Sequence, residues 1–445
     1  MSERAEVDRE LARVEQAILA RAPEHDLVPS LERIAALLDL LGSPQAAYPV
    51  VLVTGTNGKT STTRMIEALL RGFGLHTGAF TSPHLHSVRE RIALAGEPLD
   101  PQRFVQVYDE VAPYVAMVDK DSDVPMSFFE VLTGMAYAAF ADAPVDVAVV
   151  EVGMGGSWDA TNVADAAVAV VTPVALDHTR FLGEEVTTIA AEKSGIVKNG
   201  AFAVLAQQSL PVAEVLLRRA AEVGATVARE GLEFGVLRRS VAVGGQLLAL
   251  RGLGGDYEDV FLPLHGEHQA HNAACALAAT EAFLGGGRDL LDSEVVQSAL
   301  RGVSSPGRME VLRRSPTVLV DAAHNPAGAE AAAAAISEAF GFPRVVGVVA
   351  IFADKDVRGI LGAFEPVLAE VVVTEMASPR GLGVDELAAL AVEVFGPDRV
   401  EVAPRLDDAI EIAVSLAEEE GLGGAVLITG SVRTVAEART LLGAG

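Results

Sequence analysis

Residues 50–60 read Val-Val-Leu-Val-Thr-Gly-Thr-Asn-Gly-Lys-Thr: an apolar run, a tight glycine turn and the opening of a helix. This segment commits the chain to a strand–loop–helix unit, the building block of sheets covered by helices on both faces. Backbone N–H groups of such a turn converge as an anion nest, and the helix N-terminus adds partial positive charge. Lys59 then reaches the β- and γ-phosphates of a nucleotide, while a hydroxyl of Thr60 or Ser61 can hold Mg²⁺. The general phosphate-loop spacing would place its first glycine at position 53, where Val53 stands, so Gly55-Thr56-Asn57-Gly58-Lys59-Thr60 is a shortened variant. The plainer alternative is a glycine-rich turn with an exposed lysine. The strand before and helix after favour the phosphate site.

The rest of the chain repeats this alternation. Strands are expected at Tyr48–Val53, Val145–Glu151, Ala167–Thr172 and Ala201–Ala206, with helices at Lys59–Phe73, Phe128–Phe140 and Thr188–Ser194. Residues 1–22 are charged and helical in pattern. Phe234–Arg238, Val241–Val243 and Gln246–Leu250 read as short strands of a small antiparallel section, followed by helices at His268–Phe283 and Ser293–Leu300. Gly302–Gly307 reads as a linker. Beyond it come strands at Thr317–Asp321, Arg344–Phe352, Glu370–Glu375, Val400–Val402 and Ala425–Thr429, with helices at Ala327–Phe340, Val357–Leu368, Val384–Phe395 and Leu406–Glu419. The expected fold is therefore α/β: an N-terminal phosphate-loop parallel sheet with an antiparallel section over residues 1–303, and a Rossmann-like α/β domain over 304–445. At 445 residues the chain is too long for one core.

Charge narrows the partners. Acids outnumber bases 61 to 34, a net charge of −27, which repels phosphate backbones and argues against a nucleic-acid partner. No apolar run is long enough for a membrane span and no apolar leader opens the chain. One cysteine, Cys275, fits a reducing, cytoplasmic setting. Of the 34 bases only five are lysines (Lys59, Lys120, Lys193, Lys198 and Lys355), in a chain that otherwise uses arginine. Lysine is retained where a compact or deprotonatable amine is needed.

Open α/β sheets place ligands just past the carboxyl ends of their strands, and several polar clusters fall there. Glu151 ends a strand and opens the glycine-rich stretch to Asn162; Asp177-His178 and Thr81-Ser-Pro-His-Leu85 follow other strands. Glu151 and His178, with Ser82, can converge on a divalent metal; each alone also reads as an ion-paired acid, a loop histidine or a turn residue. Lys193 lies near a helix end, where a cation is ordinary. In Asp321-Ala-Ala-His-Asn-Pro326, Asn325 reads as an N-cap, with Asp321 and His324 left open.

Eleven stretches in order, from TGTNGKTS (54–61) through TSPHL with RERI, SFFE (127–130), EVGMGGSWDATN (151–162), LDHTRFLG, EKSGIVK (192–198), GEHQAHNAACA (266–276), PGRME (306–310), DAAHNP (321–326), DKD (354–356) and TGS (429–431), resemble the Mur ligase superfamily, and most closely its dihydrofolate synthase/folylpolyglutamate synthase branch. The resemblance implies a Mur-ligase-type ATP-binding domain and a C-terminal ligase domain. It implies ATP on Gly55, Thr56, Asn57, Gly58, Lys59, Thr60 and Ser61, met by Arg308 and Asp321, with Asn272 near the adenine. It implies one Mg²⁺ around Ser82, Glu151 and His178, and a second supported by a CO₂-derived carbamate on Lys193. His324 matches a residue near the reacting carboxylate and amine, which with Lys59 and Lys193 makes up the catalytic set. Ser127, Phe129 and Asp159 fall at pterin- or folate-binding positions. The implied reaction adds L-glutamate to dihydropteroate and to reduced folates through an acyl phosphate, in a cytoplasmic monomer. The chain departs from the folate pattern at Thr60, where many members carry glycine, at Ser157-Trp158, where an arginine-leucine pair is common, and in DAAHNP for DGAHNP. A monofunctional folylpolyglutamate synthase, a peptidoglycan Mur ligase and a nucleotide-binding protein with a dead site are the competing readings.

Overall fold

The computed structural model describes residues 3–23, 28–419 and 423–444. The expected N-terminal helical segment is Glu3–Leu19, with its first two residues outside the described range.

Val50–Thr54 is buried along its whole length and lies inside an eight-stranded sheet. Its side chains alternate between two cores, as the strand period of two requires. Val50 and Leu52 join a cluster with Phe129, Ile189 and Leu216; Val51 and Val53 join one with Met65, Ala273 and Leu300. Burial on both faces is why this strand reads as a continuous apolar run. The strand order is Glu97–Pro98, Ile92–Leu94, Thr77–Phe80, Val147–Glu151, Val50–Thr54, Ala166–Val171, Phe202–Leu205, Thr226–Arg229. All neighbours are parallel except the first two pairs, which are antiparallel.

Gly235–Ala242, Gly245–Arg251 and Asp256–Leu262 form the three-stranded antiparallel sheet. The first of these is one strand where the sequence suggested two, and the third was not anticipated. The sheet packs through Leu248, Leu250, Tyr257 and Val260 onto the core shared with helix Glu267–Gly285. Glu281 of that helix, buried, fastens the far end. Its carboxylate accepts from Gly254 N at 3.1 Å, from Tyr257 Oη at 2.8 Å and from Leu253 N.

No helix or strand intervenes between Arg301 and Glu310. After this stretch a six-stranded sheet runs Glu310–Arg314, Thr317–Val320, Ala425–Thr429, Val345–Val349, Glu370–Val373, Val400–Val402, parallel except for its first pair. Val345 and Val349 face one core while Val346 and Val348 face another, so helices cover both faces here as well. The edge strand Glu310–Arg314 was absent from the sequence reading, as were helices Glu32–Leu40, Pro101–Asp121 and Leu210–Glu222.

Replacing Glu281 with leucine strips the buried Tyr257 hydroxyl and the half-buried N–H groups of Leu253 and Gly254 of their acceptor, and a buried donor left unpaired costs about 1–3 kcal/mol. Glu281→Leu should lower the midpoint of denaturant unfolding of the N-terminal domain markedly, and Glu281→Gln, which keeps an acceptor, should recover much of the loss.

Candidate active site

The turn after Val50–Thr54 accepts glycine alone at two places. Gly55 sits at φ +148° and Gly58 at φ +86°, and a Cβ at either would lie 1.8 Å from Thr172 Oγ1 or 2.4 Å from Asn272 Oδ1. Helix Lys59–Gly72 begins directly at Gly58 with no side-chain cap, so its first N–H groups remain open to an anion. Lys59 folds back over the turn, donating from Nζ to Gly55 O at 3.2 Å and Thr56 O at 3.1 Å. Burial lowers its pKa, opposed by the charges of Glu151 and Asp177.

Beside the loop, Glu151 is fully buried at the carboxyl end of its strand. Its two oxygens accept from Thr60 Oγ1 at 2.9 Å and from Ser82 N at 3.0 Å. Burial raises its pKa against the pull of Lys59. An undercompensated carboxylate next to two hydroxyl-bearing residues is a hard-oxygen setting of the kind Mg²⁺ takes. His178 sits in the left-handed region at φ 50°, and burial lowers its pKa to about 3, so the ring is neutral and can ligate. Among the described residues no group of three His, Cys, Asp or Glu is placed to hold a metal, which leaves any ion dependent on the hydroxyls of Thr60 and Ser82.

Behind the turn, Lys193 donates from Nζ to Gly55 O at 2.8 Å and is buried. Burial, with Lys59 nearby, lowers its pKa to about 7. Its amine is therefore substantially neutral near neutral pH, the form that can attack CO₂ to give a carbamate.

The C-terminal domain closes on this set through Asp177, whose side chain is 6% exposed. Asp177 receives Lys355 Nζ, Asn325 Nδ2 at 3.1 Å and His324 Nε2 at 3.4 Å. Burial would raise the Asp177 pKa, but the His324 hydrogen bond and the Lys355 charge prevail and hold it far below the carboxylate range. Asn325 also caps helix Pro326–Ala339, accepting Gly328 N at 2.8 Å, as the sequence suggested. Its amide exchanges hydrogen bonds with Asn57 of the phosphate loop, at 3.1 and 3.0 Å. His324 Nδ1 donates to Ala322 O at 2.9 Å, which turns Nε2 toward Asp177.

These elements enclose one cavity of about 1020 Å³. Every site residue expected from the sequence lines it except Gly55 and Lys193, which sit directly behind the loop. Asp321 turns its carboxylate to Met309 N at 2.8 Å and Ala323 N at 2.9 Å, so it orders the backbone that carries Arg308 and His324. Asn272 is buried, held by Gln269 at 3.1 Å. Ser61 Oγ pairs with Ser305 Oγ of the linker at 3.0 Å, so that hydroxyl is occupied structurally. Ser127 caps helix Phe128–Asp142 in a reciprocal box with Glu130, and Asp159 caps the turn that follows it. Phe129 packs its ring 5.7 Å from Phe80 and against Gly153. Lys355 and Asp177 were not assigned a site role from the sequence. The scarcity of lysine was the available signal for Lys355, since three of the five lysines gather here.

The lowered Lys193 pKa makes stability depend on pH. Between about 7 and the ordinary lysine value the unfolded chain carries a proton that the folded chain lacks, so stability rises with pH across that window and is reduced below it. In CO₂-free buffer, Lys193→Met should remove about 1.4 kcal/mol per pH unit of that slope between pH 7 and 9, read from denaturant titrations.

The Mur ligase middle domain matches residues 124–280, and the Mur ligase glutamate ligase domain residues 307–432. A Mycobacterium tuberculosis dihydrofolate synthase/folylpolyglutamate synthase is 52% identical, with 97% of this chain and 94% of the relative covered. An Escherichia coli protein of the same description is 33% identical, over 93% and 91%. The M. tuberculosis folylpolyglutamate synthase solved with ADP and AMPPCP has a TM-score of 0.94 at 52% identity, covering 98% of this chain and 99% of that one. An E. coli structure in complex with DHPP and ADP has a TM-score of 0.83 at 30% identity, covering 98% of each. With both domains matched and 97% of the chain aligned to a relative at 52% identity, the protein belongs to the Mur ligase family, in its dihydrofolate synthase/folylpolyglutamate synthase branch, and is an ATP-dependent ligase.

Proposed function

We propose that the chain adds L-glutamate both to dihydropteroate and to the γ-carboxyl of reduced folates, dividing near residue 303 into an ATP-binding unit and a ligase unit. The division is supported by the cores, since Val303 packs with the first domain and Met309 with the second. The observation that carries the reading is the meeting of the phosphate loop with His324, Asn325 and Lys355 of the second domain around Asp177.

ATP lies with its phosphates on the N–H groups of residues 55–60 and its adenine toward Asn272. Lys59 exchanges the Gly55 and Thr56 carbonyls for the β- and γ-phosphates and spreads the charge of the transferring group. Glu151, Ser82, Thr60 and His178 would hold Mg²⁺, which neutralises phosphate charge when bound. The neutral Lys193 amine would carry a carbamate that supports a second ion. Arg308 meets the nucleotide from the linker. The pterin substrate, bounded by Ser127, Phe129 and Asp159, attacks the γ-phosphate through its carboxylate to give an acyl phosphate and ADP. The glutamate amine then attacks the acyl carbon and phosphate leaves, with the His324 ring beside the reacting groups. Closure of the second domain keeps water from the acyl phosphate.

Phosphate release should require ATP, Mg²⁺, L-glutamate and either dihydropteroate or tetrahydrofolate, measured in separate arms. A UDP-MurNAc peptide with its amino acid should be inert, and activity with that pair alone overturns the reading. Lys59→Ala should fall below about one-hundredth of the normal rate, and retention above that level removes Lys59 from the mechanism.

A further inference from the structure

Trp158 is the single tryptophan of the chain and stands where the family pattern commonly has the leucine of an arginine-leucine pair. It lies on the glycine-rich turn after strand Val147–Glu151, and that turn is pinned from behind. Glu192 Oε1 accepts the backbone N–H of both Gly156 and Trp158 at 3.3 Å, and Glu192 O accepts Ser157 N at 3.0 Å. At the other end of the turn, Gly155 O accepts Thr54 Oγ1 at 2.8 Å, which ties it to the foot of the phosphate loop. The indole leans back over Gly155, where a Cβ would stand 3.2 Å from Trp158 Cζ2.

One side of the indole packs, with Met154 and Phe181, against the N-terminal core, while the residue lines the active-site cavity. The neighbouring carboxylate of Asp159 accepts Met154 N at 2.9 Å and Thr161 N at 3.0 Å, facing its own turn. A half-buried indole, pinned at the wall of the cavity, offers a π-face and recognises flat rings by their faces. We infer that Trp158 is the stacking platform for the ring system of the carboxylic acid substrate, at the wall nearest the phosphate loop. The inference rests on the folate-ligase reading above, and it makes this turn a determinant of substrate specificity. The shared chemistry is a planar aromatic system, supplied either by the pterin or by the aryl ring next to the reacting carboxylate.

Because there is one tryptophan, the unmodified protein reports on its own site. With Mg²⁺ and a non-hydrolysable ATP analogue present, dihydropteroate should reduce acrylamide quenching of the Trp158 fluorescence lifetime at least twofold. Protection by 6-hydroxymethyl-7,8-dihydropterin alone would assign the stack to the pterin; protection by p-aminobenzoate alone would assign it to the aryl ring. No protection by dihydropteroate, at concentrations that saturate phosphate release, overturns the proposal. Trp158→Leu should raise the KM for dihydropteroate about tenfold with kcat and the KM for ATP changed less than threefold, and Trp158→Phe should keep most of the wild-type KM. An unaltered KM for dihydropteroate in Trp158→Leu also overturns it. Wild-type protein that releases no phosphate with dihydropteroate or tetrahydrofolate sinks the folate-ligase reading itself.

Discussion

The site depends on one buried carboxylate. Asp177 belongs to the N-terminal domain, yet three of its closest partners (Lys355, His324 and Asn325) belong to the C-terminal domain. A buried carboxylate deprived of its partners is strongly destabilising, so the docked arrangement of the two domains satisfies a need that the separated arrangement leaves to water. Other contacts share the load on the same interface. Arg239 of the antiparallel sheet pairs with Glu338, and the His265 ring lies 4.7 Å from that of Phe340. His86, in the loop after strand Thr77–Phe80, accepts from Arg439 Nε at 3.2 Å. The cavity is therefore bounded on several sides by contacts between domains.

The parts of this molecule that were legible in the sequence are those where one local requirement dominates. The phosphate loop was legible because φ near +86° at Gly58 and the crowding of Gly55 by Thr172 admit glycine alone. The central strands were legible because burial on both faces produces unbroken runs such as Val50–Thr54 and Val345–Val349. Asn325 was legible as a cap because a short amide before Pro326 is a local signal. The elements that escaped are mixed in character. Gly235–Ala242 exposes Leu237, Arg238, Ser240 and Val241 and half-buries Val236, Arg239 and Ala242, and Glu310–Arg314 is an edge strand rich in charge, so neither carries a clean period. Helix Pro101–Asp121 carries Pro113 in its interior, a residue that ordinarily argues against a helix.

For the site, the sequence supplied residue types but not their second obligations. Asn325 looked structural, and it is, but the same amide reaches the phosphate loop. Ser61, Ser127 and Asp159 were read as ligand contacts, whereas the structure also engages their side chains in the scaffold. Such double duty depends on pairings across hundreds of residues, Ser61 with Ser305 or Asp177 with Lys355, which no local pattern encodes. Net charge shows the same limit: the chain is strongly acidic overall, while Lys59, Arg308 and Lys355 gather at one cavity and supply the local field that an anionic nucleotide needs.

The reciprocal amide pair between Asn57 and Asn325 differs in kind from its neighbours. Neither partner titrates, and neither carries a net charge for dissolved ions to screen. The more exposed salt link across the same interface, Arg239 with Glu338, loosens or tightens as the ionic medium changes. The phosphate loop is thus joined to the second domain by a neutral fastener, and its register relative to that domain is insulated from the metal, nucleotide and proton traffic that the surrounding charges must feel.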